Sequence, residues 1–399
     1  MSDTRQADEL GHGIDIGTAD IGTGDAGTLD DRDATPFDFS RSAVAERLAA
    51  DREIRRHGAT ADYRDLDRRA LRYAMRRAYF GFFLHRGIDS SATLTFYCAL
   101  ALFPATLAVV SIVALLDPQG DVVRVILNVI DSFIPKATVD TTRLALQQFT
   151  RMPDPVIALV IGLALTIWAG SSYATSFGRT VNAVYGVVEG RRFIKLRLLM
   201  LLESVVLIAL LSLIVLLVIV TPDVAHTVVV TLGWPPFVVD VWSVAKWPVL
   251  ALLAIFTVVV LYYGTPNVRR PRIRWISVGA AFAIGAWSLT TGAYSLYIST
   301  FAGYDRFYGL LGGAIITLIW LFLSNLVIVI GVEVDAELTR ARQLVVGLPS
   351  EEAIVMPLRD SSRIDILARR HRADLDEGRA IREQADLLRR RSRHQQPPA

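Results

Sequence analysis

Charge is scarce in this chain. Of 399 residues only 20% are Asp, Glu, Lys or Arg, while 52% are hydrophobic and the mean hydropathy is +0.40. A soluble domain of this length carries more charge and shorter apolar runs. The net charge of +3 is too small for a bulk attraction to nucleic acid. Cysteine is nearly absent: Cys98 stands alone. No internal disulfide can form, and its place in an apolar run reads as a small buried hydrophobe. The six histidines, at 12, 57, 85, 226, 371 and 394, are scattered singly, without metal-ligand spacing. No nucleophile elbow, phosphate-binding glycine loop or ATP-binding motif occurs. These absences argue against a hydrolase, against transport driven by the chain's own ATPase, and against any cofactor. No secretory signal opens the chain. The first apolar run begins near residue 91 and would itself direct insertion.

What the chain has is long apolar runs, at about 91–116, 155–177, 198–220, 241–263, 275–298 and 310–332. Each can cross roughly 30 Å of hydrocarbon as a helix. The expected fold is an all-α polytopic membrane protein with six transmembrane helices over 91–337 and amphipathic flanking helices. Basic residues crowd before the first run, between the second and third (Arg179, Arg191, Arg192, Lys195, Arg197), and between the fourth and fifth (Arg269, Arg270, Arg272, Arg274). Residues 221–240 hold no lysine or arginine. Alternate loops are thus basic, which puts both termini in the cytoplasm.

The flanks read differently. Residues 1–40 are an acidic Gly/Asp/Thr-rich tail, expected to be disordered; its near-repeat, Asp15-Ile-Gly-Thr18 and Asp20-Ile-Gly-Thr23, is too short for a calcium array. Residues 41–90 read as cytoplasmic helices. In the second of them Leu71, Met75, Ala78 and Phe82 share a face and arginines fill the rest, the pattern of a helix lying on an anionic leaflet. Residues 121–154 read as two short interfacial helices. Residues 338–399 read as a charged, largely helical cytoplasmic tail.

Polar side chains inside apolar runs are functional candidates by default. Candidates for a pathway or gate are Tyr97, the small polar run containing Trp168, Ser171, Ser172 and Tyr173, then Glu203, Tyr294, Asn325 and Glu333. The last two runs form a hairpin whose charged ends, including Glu333, Asp335 and Glu337, are expected in water. Its turn carries Tyr304, Asp305, Arg306 and Tyr308, either a gate or an interfacial anchor. The bland alternatives are serine bonding its own helix, Asn325 as packing glue, and Glu203 paired with a nearby arginine. Gly279, Ala283, Gly285, Ala286, Gly312 and Gly313 would allow close packing within one chain or in a homo-oligomer.

Several ordered stretches resemble the BrkB/YihY family of bacterial inner-membrane proteins. Tyr304-Asp-Arg-Phe-Tyr-Gly-Leu-Leu-Gly-Gly313 is similar to its signature turn. Trp320-Leu-Phe-Leu-Ser-Asn325 and Gly331-Val-Glu-Val-Asp-Ala-Glu-Leu338 are similar to the following span and its exit. Trp168 to Arg192 and Tyr263-Gly-Thr-Pro-Asn267 are similar to its second-span and loop regions. The resemblance covers about 71–338, and the family commonly has Asn where this chain has Asp335. It implies six transmembrane helices, a virulence-associated name and an old ribonuclease label regarded as a misassignment. The expected function is transport or handling of a lipid or other envelope component through a polar bundle interior, with membrane lipids as partners and no nucleic acid. The alternatives are a membrane scaffold using the tails and, last, a membrane enzyme.

Overall fold

The computed structural model describes residues 63–116, 154–231, 233–268, 278–300 and 310–394. The expectations for the acidic tail, for the first juxtamembrane helix, for residues 121–153 and for the 301–309 turn lie outside the described residues.

Asp67 starts the first helix, α1 (Arg68–Leu84): it holds an extended backbone and its carboxylate accepts from Ala70 N at 2.7 Å. Arg86, at φ 56°, turns the chain into α2 (Gly87–Leu116). Asp154 caps α3 (Pro155–Val184), accepting from Val156 N and Ile157 N, with Pro155 pre-set in the first turn. Then follow α4 (Phe193–Ile219), the short α5 (Pro222–Thr231), α6 (Phe237–Gly264), α7 (Val278–Thr300), α8 (Leu310–Val345) and α9 (Ile364–His394). There is no strand among the described residues; an isolated antiparallel bridge pairs Val268 with Leu358.

Helix α8 is the central post. It packs on α7, α1, α2 and α3, while α2–α3, α3–α4, α4–α6 and α6–α7 contacts close the rest of the bundle. α2, α3, α4, α6 and α8 are each long and apolar enough to span a bilayer. α7 has 23 residues, about 35 Å of helix, but Gly, Ser, Thr and Tyr dilute its hydropathy. Large apolar side chains cover the perimeter, Val244, Leu252 and Leu289 each being more than two-thirds exposed. That surface suits hydrocarbon rather than water. The protein is an all-α polytopic membrane protein.

The apolar core gathers at the end of the bundle that carries the basic loops. There Phe177 and Val181 of α3 and Tyr185, which caps it, meet Leu261 and Tyr262 of α6 and Val329, Val332 and Ala336 of α8.

Two expectations need correcting here. α8 does not stop at Val332 but runs on to Val345. Glu333, Asp335 and Glu337 are 0%, 1% and 2% exposed, not in water, because Arg77 of α1, His85 just past it, Tyr185 just past α3 and Arg340 of α8 itself supply partners. The buried face of α1 is also rotated from the expected one. Ala74, Ala78, Gly81 and Phe82 are buried, whereas Leu71 and Met75 point outward. Small residues let α1 approach Val334, Leu338 and Ala341 of α8 closely, so α1 docks on protein with that face rather than lying only on a leaflet. Helix α9 is buried at Ile364 and Ala368, but Leu375, Ile381, Leu387 and Leu388 are exposed.

Candidate functional site

Within the apolar part of the bundle, three helices meet through polar side chains. Tyr173 (α3) donates to Asn325 Oδ1 (α8) at 2.9 Å. Asn325 Nδ2 lies 3.3 Å from Thr95 Oγ1 and 3.9 Å from Cys98 Sγ of α2, and bonds Leu321 O at 2.9 Å. This amide is satisfied on both sides, so it clamps α2, α3 and α8 together. Across the α7–α8 seam, Trp287 Nε1 donates to Ser324 Oγ at 3.0 Å and Tyr294 donates to Ile316 O at 2.7 Å.

The remaining candidates from the α2 and α3 runs separate. Tyr97 is half-buried, its ring against Phe96. Trp168 is 51% exposed and sits on the perimeter rather than in an interior path. Ser172 bonds its own helix at Trp168 O, 3.0 Å away. Ser171 is fully buried and its Oγ has no hydrogen-bond partner among the described residues. Tyr304, Asp305, Arg306 and Tyr308 lie outside the described residues.

The densest polar site is at the basic end. The Glu189 carboxylate receives Arg191 Nε and Nη2, both at 2.7 Å, and Asn182 Nδ2 at 3.1 Å. Arg191 Nη2 also reaches Thr265 O at 2.7 Å, just past α6. Asn182 Oδ1 accepts from Asn267 N at 2.9 Å. Asn267 in turn holds the segment before α9: its Nδ2 donates to Asp360 O at 2.8 Å and its Oδ1 accepts from Asp360 N at 3.1 Å. Arg359 donates to the carbonyls of Tyr263 and Gly264, and Lys195 Nζ pairs with Asp360 Oδ2 at 2.6 Å. Residues 182–191, 264–267 and 359–360 are thereby tied into one latch. The fit is tight: a Cβ on Gly190 would fall 1.9 Å from Asp360 O.

Glu203 of α4 lies beside the latch. A Cβ on Gly264 would fall 2.0 Å from Glu203 Oε1, so the absence of that side chain admits the carboxylate. Glu203 Oε1 and Arg191 Nη1 each lack a hydrogen-bond partner among the described residues. The guanidiniums of Arg359 and Arg191 act on Glu203 through space, without an ion pair at contact distance.

The α8 acids form the other half of the polar end. Glu333 Oε1 is 2.9 Å from His85 Nδ1, Asp335 accepts from Tyr185 at 2.9 Å, and Glu337 is paired with Arg77 at 3.1 Å and Arg340 at 2.9 Å. Arg340 Nη1 reaches Ser350 O at 2.7 Å, and Gln343 holds Ser350 and Val355. Among the described residues no three His, Cys, Asp or Glu side chains converge as metal ligands.

Sequence reasoning named Glu203 and Glu333 here but not Asn182, Glu189, Arg191, Asn267, Arg359 or Asp360 as site residues. The available signal was that Trp168–Arg192, Tyr263–Asn267 and Gly331–Leu338 all match one family; in the fold these three stretches converge.

Among the described residues, two recesses open on the flank. One, of about 660 Å³, is lined by Arg192, Phe193, Ile194, Lys195, Leu198, Leu199 and Leu202 at the start of α4. The other, of about 290 Å³, lies between α7 and α8 under Tyr294, Tyr297 and Ile319.

Lys195 holds the Asp360 carboxyl below the usual carboxylate range, with help from Ser362. The folded-state pKa is depressed, so the pair's contribution is present above the ordinary carboxylate pKa and is lost only as pH falls through the lower, folded value. Acidifying from neutral to mildly acidic pH should therefore leave this part of the latch closed, whereas Asp360→Asn should loosen it at neutral pH. Limited proteolysis of residues 348–363 would read both.

Residues 79–353 match the virulence factor BrkB family. The ribonuclease-like protein YfkH of Bacillus subtilis is 28% identical over 261 residues, 65% of this chain and 93% of that protein. A UPF0761 membrane protein of Vibrio campbellii is 27% identical over 53% of this chain and 64% of its own length. Another, from Chromohalobacter salexigens, is 37% identical over 24% of this chain and 23% of its own. The chain thus spans nearly all of YfkH but less than two thirds of either UPF0761 protein. No solved structure matches. With the family match covering more than half of the sequence, and the shared stretches meeting at one end of a membrane bundle, the chain belongs to the virulence factor BrkB family of membrane proteins.

Proposed function

We propose that this chain handles a lipid or another amphiphilic envelope component along the flank of its bundle. The observation that supports the reading is the division of polarity. Where α2, α3 and α8 meet, Tyr173, Asn325 and Thr95 bond one another, while the two recesses described above are walled mainly by apolar side chains at the perimeter. A path for a small hydrophilic solute needs unengaged polar groups along a wet interior. An amphiphile needs an apolar wall with a polar end. This reading moves the route from the polar bundle interior expected from the sequence to the lipid-facing side.

On the same reading the chain crosses the bacterial inner membrane six times, α7 being one of the spans, with both termini cytoplasmic. The alternation of basic and non-basic loops supports that orientation. Its partners are membrane lipids, not nucleic acid, and it is not an enzyme; the ribonuclease-like name belongs to YfkH. A homo-oligomer is compatible with this reading.

The test is reconstitution of the full chain in vesicles carrying a fluorescent-headgroup phospholipid. Added reductant should bleach label beyond the outer-leaflet fraction when the folded protein is present. Bleaching confined to the outer leaflet, with and without an imposed ion gradient, would overturn the transport reading. Turnover of RNA by the purified protein with a divalent metal would overturn the non-enzymatic one. A tail deletion that abolishes the cellular phenotype while lipid movement persists would mark the protein as a scaffold.

A further inference from the structure

The recess at the start of α4 combines three features. Its floor is apolar and outward-facing: Phe193 is 74% exposed, Leu198 62% and Leu202 62%. Lys195, Leu199 and Leu202 follow one another at spacings of four and three, so the basic residue and the leucines share one helix face. At the mouth stand two cations. The Arg192 side chain is exposed and makes no ion pair among the described residues, while Lys195, 60% exposed, holds Asp360. Arg192 is the N-cap residue and no side chain caps the helix, so the first-turn N–H groups and the positive end of a 27-residue helix add to the same field.

We propose that this recess is a headgroup site for an anionic glycerophospholipid drawn from the surrounding bilayer. It rests on the flank reading above and names the class of lipid. The charge complementarity is direct: a phosphate and its anionic substituent meet Arg192, Lys195 and the helix start, while acyl chains lie along Phe193, Leu198 and Leu202. Asp360 already shows Lys195 holding an oxyanion at 2.6 Å. The protein's own carboxylate therefore occupies part of the headgroup's place, and a lipid phosphate competes with it for the ammonium. Through that competition the site touches the latch, because the backbone of Asp360 is clasped by Asn267.

The experiment is native mass spectrometry of the full chain in detergent, titrated with phosphatidylglycerol or phosphatidylcholine of identical acyl chains. Wild type should retain the anionic lipid preferentially. Arg192→Gln breaks no ion pair of the described structure and should cut the preference about fivefold, the contribution of one basic side chain at an anionic surface. Asp360→Asn frees Lys195 and should raise retention of phosphatidylglycerol without changing that of phosphatidylcholine. Equal retention of both lipids by wild type, or an Arg192→Gln preference equal to wild type with native thermal stability, would overturn the site. So would full competition by inorganic phosphate at lipid-equivalent concentration, which would mark a free-anion site. Preferential retention without lipid movement in vesicles sinks the transport reading and leaves this site standing; lipid movement without anionic preference does the reverse.

Discussion

Arg191→Met should collapse the basic end of the bundle. Arg191 is 1% exposed and joins Glu189, in the loop after α3, to the carbonyl of Thr265 after α6. Methionine fills much of the volume but returns none of these bonds. It strands the Glu189 carboxylate on a largely buried site and removes one of the two cations that act on Glu203. Removing one member of a buried pair costs about 3–5 kcal/mol, more than the pair's net worth, because the other charge stays buried without compensation. Thermal unfolding in detergent should show a large loss, with early proteolysis of the segment before α9. Arg191→Lys should rescue little, since an ammonium cannot make the bidentate contact with Glu189 and still reach Thr265 O. Arg192→Met is the internal control: the neighbouring side chain is exposed, and stability should stay near wild type. A mild loss at Arg191 with an equal loss at Arg192 would mean that the latch does not hold the bundle.

The long apolar helices were legible because length and apolarity are properties of the chain itself; the 91–116 and 241–263 runs lie inside α2 and α6, and five helices are apolar enough to span among the described residues. The helix ends were not. Sequence reading stops a span at the first charged residue, yet α8 carries Glu333, Asp335 and Glu337 onward into protein, since His85, Tyr185 and Arg77 arrive from other parts of the chain to meet them and Arg340 of the same helix adds a local pair. The first three separations are large, His85 and Glu333 being 248 positions apart, and no local pattern encodes a partner that distant. The same holds for Asn267, an ordinary loop residue in sequence that clasps both Asn182 and Asp360. Glu203 was visible as a carboxylate in an apolar run, but whether it would find an arginine was a question of geometry: it rests on the backbone of Gly264 instead. For α1 the helical period is legible, and Ala78 and Phe82 of the expected face are buried; close helix contact adds Ala74 and Gly81 to that face and leaves Leu71 and Met75 outside.

Gly279→Val should separate α7 from α8. Here two backbones meet: a Cβ on Gly279 would lie 2.4 Å from Asp335 Cβ, 2.6 Å from Gly331 O and 2.9 Å from Asp335 Cα, and one on Gly331 would lie 2.6 Å from Ala283 Cβ. None of these neighbours is the tip of a flexible chain that could swing aside, so the helices themselves must move. The displacement acts on Asp335, which Tyr185 holds at 2.9 Å, and on Tyr262, whose hydroxyl reaches Ile328 O at 2.6 Å. Overpacking of this kind costs about 1–3 kcal/mol, and the polar consequences place Gly279→Val at the upper end. Gly285 and Gly292 lie on the same helix, and a Cβ there meets nothing within 4 Å. Gly285→Ala should therefore be neutral or stabilising by up to about 1 kcal/mol through helix propensity. The contrast separates the two uses of small residues that the sequence left open. A loss at Gly279 with none at Gly285 assigns close packing to this chain's own helices. If Gly285→Val leaves thermal stability intact but shifts the native mass from a multimer to a monomer, the open side of α7 is an interface between copies.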